Sequence, residues 1–551
     1  MTAALRAASR YKVLGARPRE TNASVHSLAE KWLSFASFPA RLRIPVASPY
    51  IERILKARVY DVAIESPLDE APRLSRRIGN RVMLKREDLQ PVFSFKLRGA
   101  YNRIAHLSDA AAKRGVVCAS AGNHAQGVAL AAKRRGIPAV IVMPQTTPHI
   151  KVQAVIDFGG EVVLHGDDYD SAFDRALALA RERNLIFVHP FDDPDVIAGQ
   201  GTVAVEVLRQ TGGHVDAIFV PVGGGGLIAG VAVYVKYLYP NVRIIGVEPE
   251  DAASMYESLK AGKRVNLDRV GIFADGVAVK RVGEETFNLC RAHVDEILLL
   301  DTDEICAAIQ DVFEDTRSIV EPAGALAVAG IKKFVAREGW KDKRLVAINS
   351  GANMNFDRLR HVSERADLGG EREALLAVTI PEKPGSFLHL CETLGNRSVT
   401  EFSYRFQSVE QGAQLFVGFG LTQGRAERDA VVKSLRDAQY AVTDMTDNEM
   451  AKLHVRYMVG GHARGIENEL LYRFEFPERP GALLRFLHAV GSRWNISLFH
   501  YRNHGSDYGR VLAAIQVPPR DRPDFLQHLN DLHYAFVEET NNPVYRMFLG
   551  A

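Results

Sequence analysis

Asp216-Ala217-Ile218-Phe219-Val220-Pro221-Val222-Gly223-Gly224-Gly225-Gly226-Leu227 is the stretch that decides how this chain folds. After Asp216, residues 217–222 form a short apolar run, suited to a strand buried on both faces. Four glycines follow, and then the opening of a helix. Strand, glycine turn and helix together make the unit of an open parallel sheet. A glycine run lets backbone amides turn inward without side-chain clash, and a helix N-terminus adds positive potential. Such a turn suits a phosphate, and a plain flexible turn is the alternative. No Gly-Lys-Ser/Thr follows, so this is not a nucleotide P-loop. It does not read as the dinucleotide pattern either, since the GxGxxG spacing is not followed by a suitable acidic residue closing a second strand.

Working outward, apolar runs at 81–85, 115–119, 139–143, 161–164, 186–188, 243–247 and 345–348 read as further buried strands. Amphipathic stretches at 123–135, 150–158, 169–183 and 201–210 read as helices between them. This alternation predicts an α/β region with helices on both faces of parallel sheets, whose ligands sit beyond the carboxyl ends of the strands.

After about residue 370 an internal repeat appears. Leu376-Ala377-Val378-Thr379-Ile380-Pro381-Glu382-Lys383-Pro384-Gly385 matches Tyr472-Arg473-Phe474-Glu475-Phe476-Pro477-Glu478-Arg479-Pro480-Gly481. Phe402-Ser403-Tyr404-Arg405 matches Phe499-His500-Tyr501-Arg502, and Gly412 matches Gly509. Each unit reads as an α+β sandwich of the ferredoxin-like kind. Residues 448–467, with Gly460-Gly461, read as the connection. The expected domains are a basic N-terminal extension (1–45), a catalytic domain (46–368) and two small domains (373–446 and 469–541).

The chain has 551 residues, 25% of them charged, and a net charge of +3. No basic tract interleaved with aromatics points to nucleic acid, and no apolar run is long enough to span a bilayer. Four scattered cysteines without a Cys-x-x-Cys pair argue against a disulfide framework or a zinc site. The expected location is cytoplasmic. Residues 1–43 are rich in arginine and poor in acid, which is compatible with an organelle transit peptide as well as with a tail.

Three further motifs carry chemistry. Ser94-Phe95-Lys96-Leu97-Arg98-Gly99-Ala100-Tyr101 places Lys96 at the start of a helix. A lysine amine is a compact nucleophile whose pKa shifts readily when it is buried. Ser120-Ala121-Gly122-Asn123-His124 lies between a buried strand and a helix, where it can receive a carboxylate or simply cap the helix. Ser350-Gly351-Ala352-Asn353 follows the last apolar strand. A serine hydroxyl there can donate to a pyridine nitrogen without protonating it. Lysine, glycine run and serine together are parts for holding pyridoxal phosphate.

From about residue 48 to the C-terminus these motifs, with Lys85-Arg86-Glu87-Asp88 and Glu321-Pro322-Ala323-Gly324-Ala325, resemble the fold-type II pyridoxal phosphate enzymes, and within them the biosynthetic threonine ammonia-lyases. The resemblance implies a two-lobed catalytic domain like the tryptophan synthase β chain, followed by two ACT-like regulatory domains. It implies Lys96 as Schiff-base lysine and α-proton base. Gly223, Gly224, Gly225, Gly226 and Leu227 would hold the phosphate, Asn123 the ring oxygen and Ser350 the pyridine nitrogen. Ser120, Ala121, Gly122 and His124 would hold the substrate carboxylate. The implied reaction takes L-threonine to 2-oxobutanoate and ammonia, with L-serine as a weaker substrate. The implied assembly is a homotetramer, inhibited by isoleucine and relieved by valine. Tyr404 and Tyr501 are the effector contacts the repeat suggests, with symmetric packing as the alternative. In the similar serine racemases a second base, a serine, stands where this chain has Ala121.

Overall fold

The structure, a computed structural model, describes residues 49–551 except 382–389, 391, 392, 396, 398, 406–412, 458–466, 478–493, 503–507, 550 and 551. Of 399–405, 413, 476, 477, 495–502 and 508–511 only the backbone is described.

Two sheets build the first part of the chain. The larger is ordered β1-β2-β10-β7-β8-β9. It comprises β1 (Leu68–Glu70), β2 (Arg81–Arg86), β7 (Ala217–Pro221), β8 (Arg243–Pro249), β9 (Glu296–Leu300) and β10 (Arg344–Asn349). All neighbours are parallel except the edge strand β1, which runs antiparallel to β2. The smaller sheet is parallel throughout and ordered β5-β4-β3-β6, from β3 (Val116–Ala119), β4 (Ala139–Met143), β5 (Glu161–Leu164) and β6 (Ile186–Phe187).

The central strands are apolar because both faces are covered, whereas β5 and β6, read from sequence as buried, lie at the edges of the smaller sheet and are only partly buried. Ala217, Phe219, Leu345 and Ala347 point into one core, and Ile218, Val220, Val346 and Ile348 into the core on the opposite face. The two-residue period of a strand makes that division. Sequence pattern missed β1, whose Leu-Asp-Glu carries little apolar signal at an edge, and β9. Helix Pro194–Thr211 starts well before the 201–210 read from sequence, with Asp193 capping the amides of Asp195 and Val196. Its glycines lower helix propensity but permit close approach. A Cβ on Gly199 would stand 2.7 Å from the Arg98 carbonyl oxygen, and one on Gly99 2.8 Å from that of Val196. Helix Lys96–Ala105 is thereby seated against it.

The repeat gives two antiparallel sheets of the same order. The first is β12-β13-β11-β14, from β11 (Glu373–Ile380), β12 (Val399–Arg405), β13 (Ala413–Gly420) and β14 (Ala441–Asp444). The second is β16-β17-β15-β18, from β15 (Glu469–Pro477), β16 (Asn495–Arg502), β17 (Tyr508–Gln516) and β18 (Ala535–Glu538). Each strand order is the ferredoxin-like one. Even the irregularities repeat: β12 shifts register between Val399 and Glu401, and β16 at the matching Ile496 and Leu498. Leu375 N–H donates to Thr446 Oγ1 and Leu471 N–H to Thr540 Oγ1, both at 3.1 Å. One core, with Leu375, Phe416, Met450, Leu471, Leu512 and Phe548, is shared between the units. The stretch read as a connection opens with helix Glu449–Leu453, which matches helix Pro543–Phe548 of the second unit, each capped by an asparagine side chain. The Pro-Gly turns at 384–385 and 480–481, Gly412, Gly460-Gly461 and residues 1–45 lie outside the described residues.

Candidate active site

Three strands that lie side by side deliver three of the motifs. β2 leads towards Lys96, β7 into the glycine run and β10 into Ser350, and β10 pairs with both of the others. The order reverses between β7 and β10, a topological switch point, where open α/β sheets bind ligands. In the smaller sheet the order likewise reverses between β3 and β6, and Ser120 follows β3.

Lys96 opens its helix beside Ser350. The N–H of Phe95 donates to the Ser350 carbonyl at 3.1 Å, and Ser94 bridges Gly351. Below it a buried quartet seats the helix. Arg98 donates to Glu87 (2.7 Å) and Glu206 (2.6 Å), and Lys85 pairs with Glu206 (2.6 Å), all four side chains being fully buried. Two cations meet two anions, so the cluster is neutral and each charge is compensated. Desolvation lowers the Lys96 amine to about 8, with Glu321 opposing it.

The four glycines are required by their surroundings. A Cβ on Gly223 would come within 2.9 Å of Val277 Cα, and one on Gly224 within 2.2 Å of the Phe191 ring. Gly225 has φ +95°, a left-handed conformation, with Met255 and Thr286 within 3 Å of a Cβ. Helix Gly226–Leu238 starts there and aims its N-terminus at the turn. Two neighbouring pieces brace this loop. Thr286 Oγ1 donates to the Gly224 carbonyl at 2.7 Å. Thr286 belongs to helix Glu284–His293, whose first three amides donate to the Asp192 carboxylate at 2.9–3.2 Å. His189 Nδ1 accepts from the amides of Phe191 and Asp192, and burial keeps its imidazole neutral.

Asn123 opens helix Asn123–Arg135, and its Nδ2 donates to Glu321 Oε1 at 2.7 Å. Burial, then the neighbouring Asp275, raises the Glu321 carboxyl to about 7. Asp275 is held by Lys151 (2.6 Å) and Arg358 (3.4 Å). Ser120 Oγ accepts from the Gly122 amide at 3.2 Å. His124 Nε2 donates to the Val188 carbonyl at 3.0 Å, and desolvation lowers its pKa to about 3.

Lys96, Asn123, the glycine run and Ser350 thus surround one cleft. Tyr404 and Tyr501 stand apart from it, opposite Leu415 and Val511 in the two small sheets, with side chains outside the described residues. Reading the sequence assigned no role to Glu321 or Asn353, though both lie in quoted motifs, nor to Phe191, Asp192 or Thr286. The position of His189–Asp192 just after a parallel strand was the available signal. Among the described residues, several buried polar atoms here have no hydrogen-bond partner: Ser94 Oγ, His124 Nδ1 and both amide atoms of Asn349. A glycine cradle at a helix N-terminus, a free-standing lysine amine and orphaned polar atoms fit a phosphorylated aldehyde cofactor.

Fold and cleft define a pyridoxal phosphate-dependent enzyme with a duplicated C-terminal module. A family model described as pyridoxal-phosphate dependent enzyme matches residues 59–351. One described as the C-terminal regulatory domain of threonine dehydratase matches residues 364–455 and 460–549. The chain is 56% identical to L-threonine dehydratase biosynthetic IlvA of Burkholderia multivorans, over 91% of this chain and 99% of that one. It is 55% identical to the Escherichia coli protein of that name, over 92% and 98%. It is 52% identical to the mitochondrial threonine dehydratase of Saccharomyces cerevisiae, over 91% and 89%. Among solved structures, the processed threonine deaminase isoform 2 of Solanum lycopersicum aligns with TM-score 0.57 at 53% identity, over 57% of this chain and 92% of that one. Maize serine racemase aligns with TM-score 0.54 at 34% identity, over 57% and 96%. The chain belongs to the biosynthetic threonine dehydratases, carbon–nitrogen lyases of the pyridoxal phosphate class.

Proposed function

We propose that this protein deaminates L-threonine to 2-oxobutanoate and ammonia, acts more weakly on L-serine, and is inhibited by isoleucine and relieved by valine. The observation that carries the catalytic part is the meeting of Lys96, the glycine cradle and Ser350 at one switch point. Pyridoxal phosphate, when bound, supplies the electron sink that makes an amino acid's α-proton removable. The chain's own groups do the rest. Amides of Gly223, Gly224, Gly225, Gly226 and Leu227 hold the phosphate, Ser350 donates to the pyridine nitrogen and Asn123 to the ring oxygen. Backbone and hydroxyl donors from Ser120 to His124 orient the substrate carboxylate. The Lys96 amine, lowered towards neutrality, takes the α-proton. Ala121 has no proton to offer the opposite face, which favours elimination over racemisation. The two shared-core units would carry the effector sites, with Tyr404 and Tyr501 as contacts. The assembly proposed is a homotetramer in the cytoplasm, or in an organelle where residues 1–45 direct import.

The test is turnover of threonine by the purified protein, with isoleucine and then valine added. Formation of 2-oxobutanoate, its loss with isoleucine and its recovery with valine are expected. Turnover that survives Lys96→Ala would sink the catalytic reading. D-serine accumulating from L-serine would favour a racemase.

A further inference from the structure

We propose that Glu321 and Asn353 are positioning residues that fix which end of the Asn123 carboxamide faces the cofactor, so that Asn123 presents an N–H and not a carbonyl to the ring oxygen. The inference rests on the reading of Asn123 as the ring-oxygen contact.

A carboxamide has nearly the same shape in both orientations, yet a flip exchanges donor for acceptor. An anionic ring oxygen accepts hydrogen bonds, so only one orientation serves it. Partners that have no such freedom decide the matter. The Val92 carbonyl can only accept, and Asn353 Nδ2 donates to it at 2.8 Å. The second hydrogen of that same Nδ2 goes to Asn123 Oδ1 at 2.6 Å, which makes Oδ1 the accepting end. Asn123 Nδ2 then faces Glu321 Oε1 at 2.7 Å. The other Glu321 oxygen, Oε2, accepts the backbone N–H of Asn353 at 3.1 Å, a group that can only donate. The chain of bonds therefore has one direction, set by the Val92 carbonyl, which orients Asn353 and through it Asn123, while the Asn353 N–H occupies Glu321 Oε2 and leaves Oε1 facing Asn123.

Flipping Asn123 would oppose oxygen to the carboxylate and nitrogen to nitrogen at once. Burial makes both mismatches costly, since Asn123 is 8% exposed and Glu321 3%. The glycines at 351 and 276 make room for Glu321: a Cβ on Gly351 would stand 2.7 Å from its Oε1, and one on Gly276 3.1 Å. With one Nδ2 hydrogen given to Glu321, the other is left for the ring.

The experiment uses cofactor-free full-length protein reconstituted with pyridoxal phosphate. Cofactor dissociation constant and visible absorption are recorded for wild type, Asn123→Ala, Glu321→Gln, Asn353→Leu and the double variant Asn123→Ala/Glu321→Gln. Glutamine offers one acceptor and one donor where two N–H groups point, and leucine removes the donor to Oδ1. Glu321→Gln and Asn353→Leu are each expected to weaken binding about tenfold and to move absorption towards the shorter-wavelength band of a neutral phenol, the same shift expected of Asn123→Ala. The double variant should be no worse than Asn123→Ala alone, which a general loss of stability would not produce. Should Asn353→Leu fail to fold, Asn353→Asp removes the same donor at the same size. Wild-type spectra and affinity in Glu321→Gln and the Asn353 variant, beside a shifted Asn123→Ala, would overturn the inference. An unshifted Asn123→Ala would instead overturn the reading of Asn123 beneath it.

Discussion

The Lys96 amine is lowered towards neutrality because burial desolvates its charge, as the proposed base requires. Its pKa of about 8 lies below the ordinary 10.5, so the charged form weighs against the folded state. Cofactor-free protein should accordingly gain stability as pH rises from about 8 towards 10.5. Covalent capture of pyridoxal phosphate, which needs the neutral amine, should speed up as pH climbs through about 8; a midpoint near 10.5 in stopped-flow absorbance would refute the desolvation argument. Gly225→Ala tests the cradle. At φ +95° an alanine is strained by about 2 kcal/mol, and its methyl meets Met255 and Thr286. A lower melting temperature with weakened cofactor binding is expected. Lys96, the glycines and Ser350 were legible in sequence because each brings its chemistry in a local run. Glu321 and Asn353 were not, because their task lies in partners from other segments.

At the scale of elements, the glycine turn is braced by a helix that does not directly follow it in sequence. Helix Glu284–His293 has no side-chain cap of its own, and Asp192 serves instead. Asp192→Ala should cost about 1–2 kcal/mol, as loss of a good N-cap does. Through Thr286 it should also loosen Gly224. Cofactor affinity is expected to fall while chemical denaturation changes only by that amount; unchanged affinity would separate the cap from the cradle. Strands such as Ala139–Met143 and Glu161–Leu164 could be bounded from the apolar pattern alone, although only the first is buried along its length. The first turns of helix Pro194–Thr211 could not, because Gly199 and Gly201 weaken local helix propensity, and Gly199 serves the crossing with helix Lys96–Ala105.

At the scale of the molecule, helix Arg358–Gly369 runs between the two functions. Arg358 reaches Asp275 beside the cleft. Arg365, on the same helix, bonds Asp303 of the catalytic part and Glu449 of the first small unit, and Lys452 pairs with both carboxylates. Burial raises the Glu449 carboxyl, but Arg365 and Lys452 outweigh it and hold the group at about 2. The contribution is complete above pH 4.5 and is lost as pH falls towards about 2. Arg365→Ala leaves two carboxylates poorly compensated and should destabilise the junction by about 3 kcal/mol, the low end for a broken buried pair because Glu449 keeps some water. Isoleucine sensitivity should then be lost before threonine turnover, as read by inhibition curves at neutral pH.

Sequence alone determined the strand–helix alternation, the duplicated C-terminal unit and the residue types for pyridoxal phosphate chemistry, since periodicity, repetition and local glycine content are properties of neighbours along the chain. Tertiary structure alone decided which strands lie side by side, and so why β2, β7 and β10 bring Lys96, the glycine cradle and Ser350 together. It also decided which end of Asn123 faces inward and how Arg365 joins the two parts. Hydrogen bonds and ion pairs between distant segments depend on atoms a few ångströms apart in space, and no pattern along the chain encodes that distance.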